Sequence, residues 1–184
     1  ASWAHAWAAF GEPKYPRGFA HFDYADPNAK KGGTLYLSNP DRRTSFDKFN
    51  PFTIKGASPG GATIFMFETL AFPAADEPST IYGLLAEEIL VPPDMSSVSF
   101  RIHPKARFLN GDPVLAIDVK HSFDMLNSKF AAPAYRTSFS GVDKLVVVDE
   151  RTVRFDLKDR TIDTVSTVAG LAVFSHKWGL GADG

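Results

Sequence analysis

The five histidines are the residues of this sequence best suited to acid–base or metal chemistry. They are His5, His21, His103, His121 and His176. They are scattered, without the i, i+4 pairing or the company of carboxylates that a zinc site needs. His121 and Ser122 are adjacent, so on a helix their side chains point in different directions and cannot pair as base and nucleophile. We expect no metal site and no catalytic residue, and ordinary surface or capping roles for the histidines.

The sequence also lacks the motifs of several other enzyme classes. Gly32-Gly33 and Gly60-Gly61 have neither the glycine spacing nor the Lys-Ser/Thr of a P-loop, and cysteine is absent, which excludes a thiol nucleophile. Glu87 and Glu88 are neighbours and face apart, so they do not form a paired acid and base. We expect no cofactor. A hydrolase with a dispersed Ser-His-Asp set remains an alternative, although there is no G-x-S-x-G elbow.

Composition and charge exclude two further kinds of partner. The net charge of −1 gives no long-range field for nucleic acid or for an anionic membrane. Uninterrupted apolar runs are far shorter than a bilayer requires. Hydrophobic residues at 44% and charged residues at 22% are ordinary values for a globular chain with a core. We therefore expect a soluble globular protein that binds no nucleic acid.

The stretch from residue 98 to residue 126 is the clearest structural unit. Apolar residues alternate with polar ones over residues 98–102, which predicts a strand with one buried face. Residues 110–113, Asn-Gly-Asp-Pro, predict a turn. Apolar spacings of three and four over residues 116–126 predict a helix, with Asp118 near its N-terminus, where a carboxylate suits the helix dipole.

Weaker patterns predict the remaining elements. Residues 1–31 are rich in aromatic side chains and prolines, and predict an irregular arm pinned by rings; a short helix that opens the segment is the alternative. The other expected elements are a strand at 34–37, a helix opening at 59–61, strands at 145–149 and 152–157, and a short helix at 161–170. We expect the last two strands to join residues 98–102 in one antiparallel sheet.

Residues 107–126, RFLNGDPVLAIDVKHSFDML, resemble the signature of the bacterial extracellular solute-binding proteins of family 5, the oligopeptide, dipeptide and nickel receptors of ABC importers. The matching residues are Phe108, Gly111, Pro113, Ala116, Asp118, Val119, Ser122 and Phe123. Leu115 departs from the pattern, because the family usually has Thr there as the helix N-cap. Residues 11–37, GEPKYPRGFAHFDYADPNAKKGGTLYL, resemble the subgroup of receptors linked to uptake of microcin C and longer peptides.

The resemblance implies an α+β (mixed α/β) fold, the N-terminal part of a two-lobed periplasmic binding protein of the peptide-binding class, with a small antiparallel sheet flanked by helices. By this resemblance residues 1–67 are a segment of the first ligand-binding lobe, 68–171 the extra subdomain of the family, and 172–184 the truncated return to the first lobe. The chain corresponds to roughly a third of a complete member, whose two lobes exceed single-domain size.

The resemblance also implies a function. It suggests the periplasmic substrate-binding component of an ABC transporter, which captures oligopeptides or peptide-like solutes and delivers them to the membrane permease. We expect a non-enzymatic monomer, exported with its signal peptide removed, whose partners are the peptide, the permease and the second lobe of its own chain. The alternative is a stand-alone interaction module with the same subdomain fold.

Four residues are expected to contact the ligand. Residues 45–58 resemble the family loop that runs along the cleft, and within it Lys55, Gly56 and Ala57 take positions where main chain meets a bound peptide. Gly56 would allow close backbone approach. Tyr135 corresponds to a cleft-facing aromatic side chain. The alternatives are a plain surface loop around Lys55 and a packed loop tyrosine at residue 135.

Overall fold

The computed structural model of the chain describes residues 1–37 and 46–179. Residues 38–45 and 180–184, which include the first residue of the expected cleft loop and the end of the expected third segment, lie outside that part. In chain order the described elements are β1 (Ala6–Ala8), α1 (Ala62–Phe65), β2 (Ala71–Pro73), β3 (Thr80–Gly83), β4 (Ala86–Leu90), β5 (Ser97–Ile102), α2 (Ala116–Leu126), α3 (Pro133–Ser138), β6 (Val142–Asp149), β7 (Thr152–Leu157) and α4 (Ile162–Ala169). The mixed helix and antiparallel-sheet fold confirms the expected class.

A four-stranded antiparallel sheet in the order β4-β5-β7-β6 is the centre of the fold. Phe100 of β5 pairs with Val153 of β7, and Val98 pairs with Phe155. All four side chains are fully buried, so the alternating pattern of the sequence corresponds to one inward face. The expected sheet is confirmed, with β7 lying between β5 and β6 and with β4 added at the other edge.

A second, three-stranded sheet in the order β1-β3-β2 includes the N-terminus. Ala6 pairs with Tyr82 of β3, and Ala4 forms a bridge to Ile89 of β4. Residues 4–8 therefore contact both sheets. The suggestion of an opening helix is wrong, because a long-range partner strand takes up these residues.

Helix α2 covers the inner face of the main sheet, and α4 packs beside β2 of the second sheet. Helix α2 lies over β6 and β7, and buries Ala116, Val119 and Leu126. Its Phe123 ring meets Phe155 edge-on at 5.6 Å. Helix α4 begins at its N-cap Thr161, whose hydroxyl accepts the N–H of Thr164. Both predicted helices are confirmed.

One other expectation fails, and a third predicted helix forms but is short. Residues 34–37 form no strand and are exposed, because no strand in the described part of the chain pairs with them. The helix expected after residues 59–61 covers Ala62–Phe65 alone. Its N-cap Gly61 has no side chain to cap it, and so short a helix gains little from backbone hydrogen bonding.

Asp118 is a buried carboxylate that joins the start of α2 to the segment after α4. Its side chain is 2% exposed. Its Oδ2 accepts the N–H of Leu115 at 2.9 Å, which is the reciprocal bond of a capping box and partly replaces the missing N-cap hydroxyl. Its Oδ1 accepts the N–H of His176 at 2.8 Å and lies 2.7 Å from His176 Nδ1.

Ser122, one turn further along α2, makes the second half of this connection. Its buried hydroxyl accepts the N–H of Phe174 at 2.9 Å and lies 2.8 Å from the carbonyl oxygen of Asp118. We call the four residues Asp118, Ser122, Phe174 and His176 the α2 clamp. The clamp fixes residues 174–176 against the helix.

Replacing Asp118 tests the clamp. Asp118→Ala should lower the free energy of unfolding by about 1–3 kcal/mol for each buried N–H left without an acceptor. The matched control is Asp124→Ala on the same helix, where the carboxylate is 54% exposed and pairs with Lys120. That change should cost less than about 0.5 kcal/mol. Urea denaturation of both variants measures the difference, and equal losses would contradict a structural role for the clamp.

Candidate functional site

Four aromatic side chains from separate stretches of the chain meet beside the α2 clamp. Phe52 lies before α1, Phe67 follows α1, and Phe174 and Trp178 follow α4. Ring centroids are 4.9 Å apart for Phe52 and Phe67, 5.4 Å for Phe52 and Phe174, and 5.1 Å for Phe174 and Trp178. Phe52 and Phe174 are buried, whereas Trp178 is 41% exposed. We call this cluster the aromatic wall.

Two open grooves border the aromatic wall, and both contact Phe49, Phe174 and Trp178. The first has a volume of about 370 Å³ and is lined by Phe49, Asn50, Phe52, Thr53, His121, Met125, Leu126, Phe130, Ala131, Phe174, Trp178 and Gly179. The second has a volume of about 500 Å³ and extends to Met66, Leu109 and Lys177. Both grooves present mostly carbon to solvent, with few polar groups to orient a ligand.

The α2 clamp and one ion pair set the position of Trp178. The clamp holds residues 174–176, and Lys177 Nζ lies 3.1 Å from Asp112 Oδ2 in the predicted turn. The Lys177 ammonium holds the pKa of the Asp112 carboxyl below its ordinary value. Trp178 follows directly, so its backbone continues from a segment that is held by both α2 and the turn.

The expected cleft loop is closed by its own hydrogen bonds. Asp47 Oδ1 accepts the N–H of Ala57 at 2.8 Å, and the N–H of Asp47 donates to the Ala57 carbonyl at 2.9 Å. Lys48 Nζ donates to the carbonyl oxygen of Thr53 at 2.7 Å. Gly56 has φ +85°, and a Cβ there would lie 2.6 Å from Asp47 Oδ1. The loop therefore requires glycine at this position.

The structure separates the predicted ligand residues into two places. Lys55 and Gly56 are exposed on the closed loop, and Ala57 uses its N–H and carbonyl in bonds to Asp47. Tyr135 lies on α3, where its ring packs 5.6 Å from Phe52 and burial raises the pKa of its phenol. None of the four lines either groove. Their contact with a ligand stays a prediction.

The α2 clamp uses the polar groups that a hydrolase would need. Ser122 is fully buried, and its hydroxyl is bonded to main chain. His176 pairs with Asp118, while the His121 ring packs edge-on against Phe174 at 5.9 Å. Among the described residues, no group of three or more His, Cys, Asp or Glu side chains could hold a metal ion. No helix in residues 1–37 and 46–179 has the length and apolarity to cross a membrane.

Sequence reasoning did not identify the aromatic wall. Its members come from three loops, and no local period links Phe52, Phe67 and Phe174. The sequence offered one weak indication. Large aromatic side chains occur in segments where no helix or strand is predicted, as at Trp178 before the glycine-rich end. Such residues need a distant partner to bury them.

Comparison with known proteins gives one family. The family model described as "Bacterial extracellular solute-binding proteins, family 5 Middle" matches residues 80–179. The "Probable peptide-binding protein YejA" of Agrobacterium fabrum is 36% identical over 185 aligned positions, covering 99% of this chain and 29% of its own length. The chain therefore spans well under half of the curated relative that it matches.

Solved structures give the same fold at low identity. NikA from Brucella suis in complex with Fe(III)-EDTA superposes with a TM-score of 0.59 at 21% identity, over 74% of this chain and 28% of NikA. Haemophilus influenzae OppA in complex with RPPGFSPFR superposes with a TM-score of 0.54 at 19% identity, over 70% of this chain and 28% of OppA. Both likenesses concern the fold.

A glycine substitution tests the closed loop. Gly56→Ala places a side chain at positive φ and against Asp47, a strain of roughly 1–2 kcal/mol, so the Ala57 amide should exchange about tenfold faster with solvent. Gly60→Ala is the control, because a Cβ at Gly60 meets nothing within 4 Å and its φ is not positive. Hydrogen exchange followed by NMR measures both, and unchanged protection at Ala57 in G56A would contradict the loop geometry.

Proposed function

The chain belongs to the bacterial extracellular solute-binding proteins of family 5, and from this we propose that it is part of the periplasmic substrate-binding component of an ABC transporter. It would capture oligopeptides or peptide-like solutes and deliver them to the membrane permease. The family match over residues 80–179 carries this proposal, because it spans the main sheet, α2 and the α2 clamp. The name of the Agrobacterium relative, a probable peptide-binding protein, supports peptides as the ligand class.

We propose a non-enzymatic role. Solute capture requires shape and hydrogen-bonding groups rather than an acid, a base or a nucleophile. The Ser122, His176 and Asp118 side chains are engaged in the α2 clamp, where Ser122 has no access to solvent. A hydrolase is therefore disfavoured.

The proposed division of the chain has support at its two boundaries. Residues 1–67 would belong to the first lobe, 68–171 to the extra subdomain, and 172–184 to the return. Thr69 and Ala172 form a bridge, and the N–H of Val173 donates to the Glu68 carbonyl at 3.1 Å. The start and the end of the subdomain thus lie side by side, as expected for an insertion in a lobe.

Exposed apolar surface favours a longer receptor over a stand-alone interaction module. Leu35, Tyr36 and Leu37 are 69%, 91% and 51% exposed, and Phe49 and Phe130 beside the aromatic wall exceed 60%. Surface of this kind usually lies at an interface. We propose that the remainder of a longer chain, including a second lobe, covers it. The receptor would be a monomer, exported to the periplasm with its signal peptide removed, and would not bind nucleic acid.

Lys55 offers a test of the proposed ligand loop. We propose that Lys55, Gly56 and Ala57 contact the bound peptide and that Tyr135 supports the loop through Phe52 or faces the cleft. In the full-length receptor, Lys55→Glu reverses an exposed charge and should change peptide affinity at least severalfold, with the melting temperature nearly unchanged. Lys105→Glu, at another exposed lysine, should change neither. Calorimetric titration with oligopeptides measures the affinity, and equal affinities for the two variants would place Lys55 outside the cleft.

The 184-residue chain alone should bind oligopeptides weakly or not at all. A ligand held between two lobes loses half of its enclosing surface when one lobe is missing, and the remaining contacts do not offset the entropy of association. Isothermal titration calorimetry with the peptides that bind the full-length receptor gives the comparison. Binding at micromolar affinity or tighter by the 184-residue chain would contradict the two-lobe proposal.

A further inference from the structure

Residues 10–24, which we call the arm, lie against the three-stranded sheet after β1. The arm is attached through a cluster of rings in which Tyr15 is 5% exposed and Tyr82 of β3 is 2% exposed. Tyr15 meets Tyr82 edge-on at 5.7 Å, and Phe19 and Phe22 lie 5.2 Å and 5.4 Å from the Tyr82 ring. The arm therefore covers apolar surface on the sheet.

The polar attachment of the arm differs from that of β1. Strand β1 joins β3 through an antiparallel backbone ladder. Within the described residues, no backbone-to-backbone hydrogen bond joins residues 10–24 to either sheet. Side chains hold the arm instead, and most of the acceptors are carboxylates.

The first set of bonds converges on Asp76. Lys14 Nζ lies 2.7 Å from Asp76 Oδ2 and 2.8 Å from Asp23 Oδ2. The Tyr15 hydroxyl donates to Asp76 Oδ2 at 2.5 Å and accepts the N–H of Asp23 at 2.8 Å. Asp76 therefore receives one ammonium and one phenol from the arm.

The second set converges on Glu77 and Glu88. Glu77 accepts the N–H of Lys14 at 2.7 Å and the Tyr82 hydroxyl at 2.5 Å, and that hydroxyl accepts the N–H of Tyr15 at 3.0 Å. Glu88 lies 2.8 Å from Arg17 Nη2 and 2.6 Å from Arg101 Nη1.

Two histidines complete the groups around the arm. His5 Nε2 lies 2.8 Å from the Tyr15 carbonyl oxygen, which can only accept a hydrogen bond, so the ring nitrogen donates. His21 is exposed, and its Nδ1 contacts the carbonyl oxygen of Phe22 in the arm itself. Neither histidine contacts a carboxylate of the set.

We propose that Asp76 and Glu88 form an acid-sensitive clasp, whose protonation releases residues 10–24 from the sheet while β1 and both sheets stay folded. A protonated carboxyl no longer attracts Lys14 or Arg17 and keeps less capacity to accept hydrogen bonds. The ladder of β1 consists of backbone N–H and C=O groups, which carry no titratable proton in this pH range. Release uncovers the rings of Tyr15, Phe19, Phe22 and Tyr82, which gives the open state an apolar surface that the closed state lacks.

The pKa directions agree with this geometry. Hydrogen bonds from Lys14 and Tyr15 hold the pKa of Asp76 below its ordinary value of 3.8, and Arg17 and Arg101 lower that of Glu88 below 4.5. These two carboxylates contribute their full stabilisation at pH values above their ordinary pKa values. They lose it as the pH falls through the lowered pKa values of the folded state. Asp23 and Asp76 raise the pKa of Lys14, and burial raises that of Tyr82 to about 12. The clasp is therefore intact at neutral pH, starts to weaken only below the ordinary values of 4.5 and 3.8, and is lost as the pH falls through the lowered pKa values.

The test uses the protein with its full native chain and follows amide hydrogen exchange by mass spectrometry, corrected for the intrinsic effect of pH. At pH 3, peptides from residues 10–24 should exchange at least tenfold faster than at pH 7, while peptides from β5 and β7 keep their protection. The double variant Asp76→Asn/Glu88→Gln mimics protonation and should give the fast arm exchange at pH 7. Asp94→Asn is the control, since Asp94 pairs with Arg160 away from the arm.

Three outcomes would overturn the proposal. Arm protection that is unchanged at pH 3 would mean that the rings alone hold the arm. Simultaneous loss of protection in the arm and in β5 and β7 would mean global acid unfolding. Faster arm exchange in the Asp94→Asn control, equal to that of the double variant, would mean that any lost carboxylate loosens the arm.

Discussion

The buried Asp118 carboxylate is the contact on which the rest of the structure depends most. It accepts the Leu115 N–H at the start of α2 and the His176 N–H after α4, so one side chain starts a helix and fixes a segment 58 positions away in sequence. A buried charge is costly unless several donors surround it, and here two N–H groups and an imidazole do so. Segment 174–178 and the aromatic wall take their positions from this contact.

Residues 174–176 and the arm are attached to the rest of the molecule by different kinds of contact. Near α2, Ser122 and Asp118 are buried and bond to main chain, so these contacts are insensitive to salt and lie in the core. Around the arm, Lys14 and Asp23 are 46% and 67% exposed, and Asp76 and Glu88 are 25% and 17% exposed, so these ion pairs lie at or near the surface. Exposed pairs contribute little stability each and depend strongly on solution conditions. The arm is therefore the region that conditions can change first.

Sequence periodicity predicted the elements whose evidence is local. The alternation in β5 and β7 gives the sheet one buried apolar face, and the spacing of three and four in α2 places the apolar face of the helix against it. The structure agrees in the position and type of these elements. The family resemblance rested on the same stretch, with Asp118 and Ser122 among its residues. Their roles in the clamp could not be read from the pattern, because both bond to residues 174–176, which the fold brings near.

The failed predictions share one cause. Whether each segment forms a strand depends on a partner that is distant in sequence. Residues 4–8 became strand because residues 80–89 were available to pair, while residues 34–37 have strand-forming side chains but no partner strand in the described part of the chain. Leu115 shows the opposite case, because a residue close in sequence compensates for what it lacks. Leu115 has no hydroxyl to cap the helix, and the Asp118 carboxylate, three residues later, accepts the Leu115 N–H.

A polar side chain that is already hydrogen-bonded within the fold is poorly suited to recognise a ligand. Asp47, Asp118 and Ser122 are polar side chains near the grooves, yet each is committed to main-chain bonds within the fold. Withdrawing any of them to meet a ligand would leave a backbone N–H unpaired, and that loss would cancel most of the free energy of the new hydrogen bond. The fold thus reserves these groups for its own support, which fits our proposal that the ligand is recognised by side chains exposed on the supported loops. Lys55, exposed on a loop closed by Asp47 and Ala57, is a side chain of that kind.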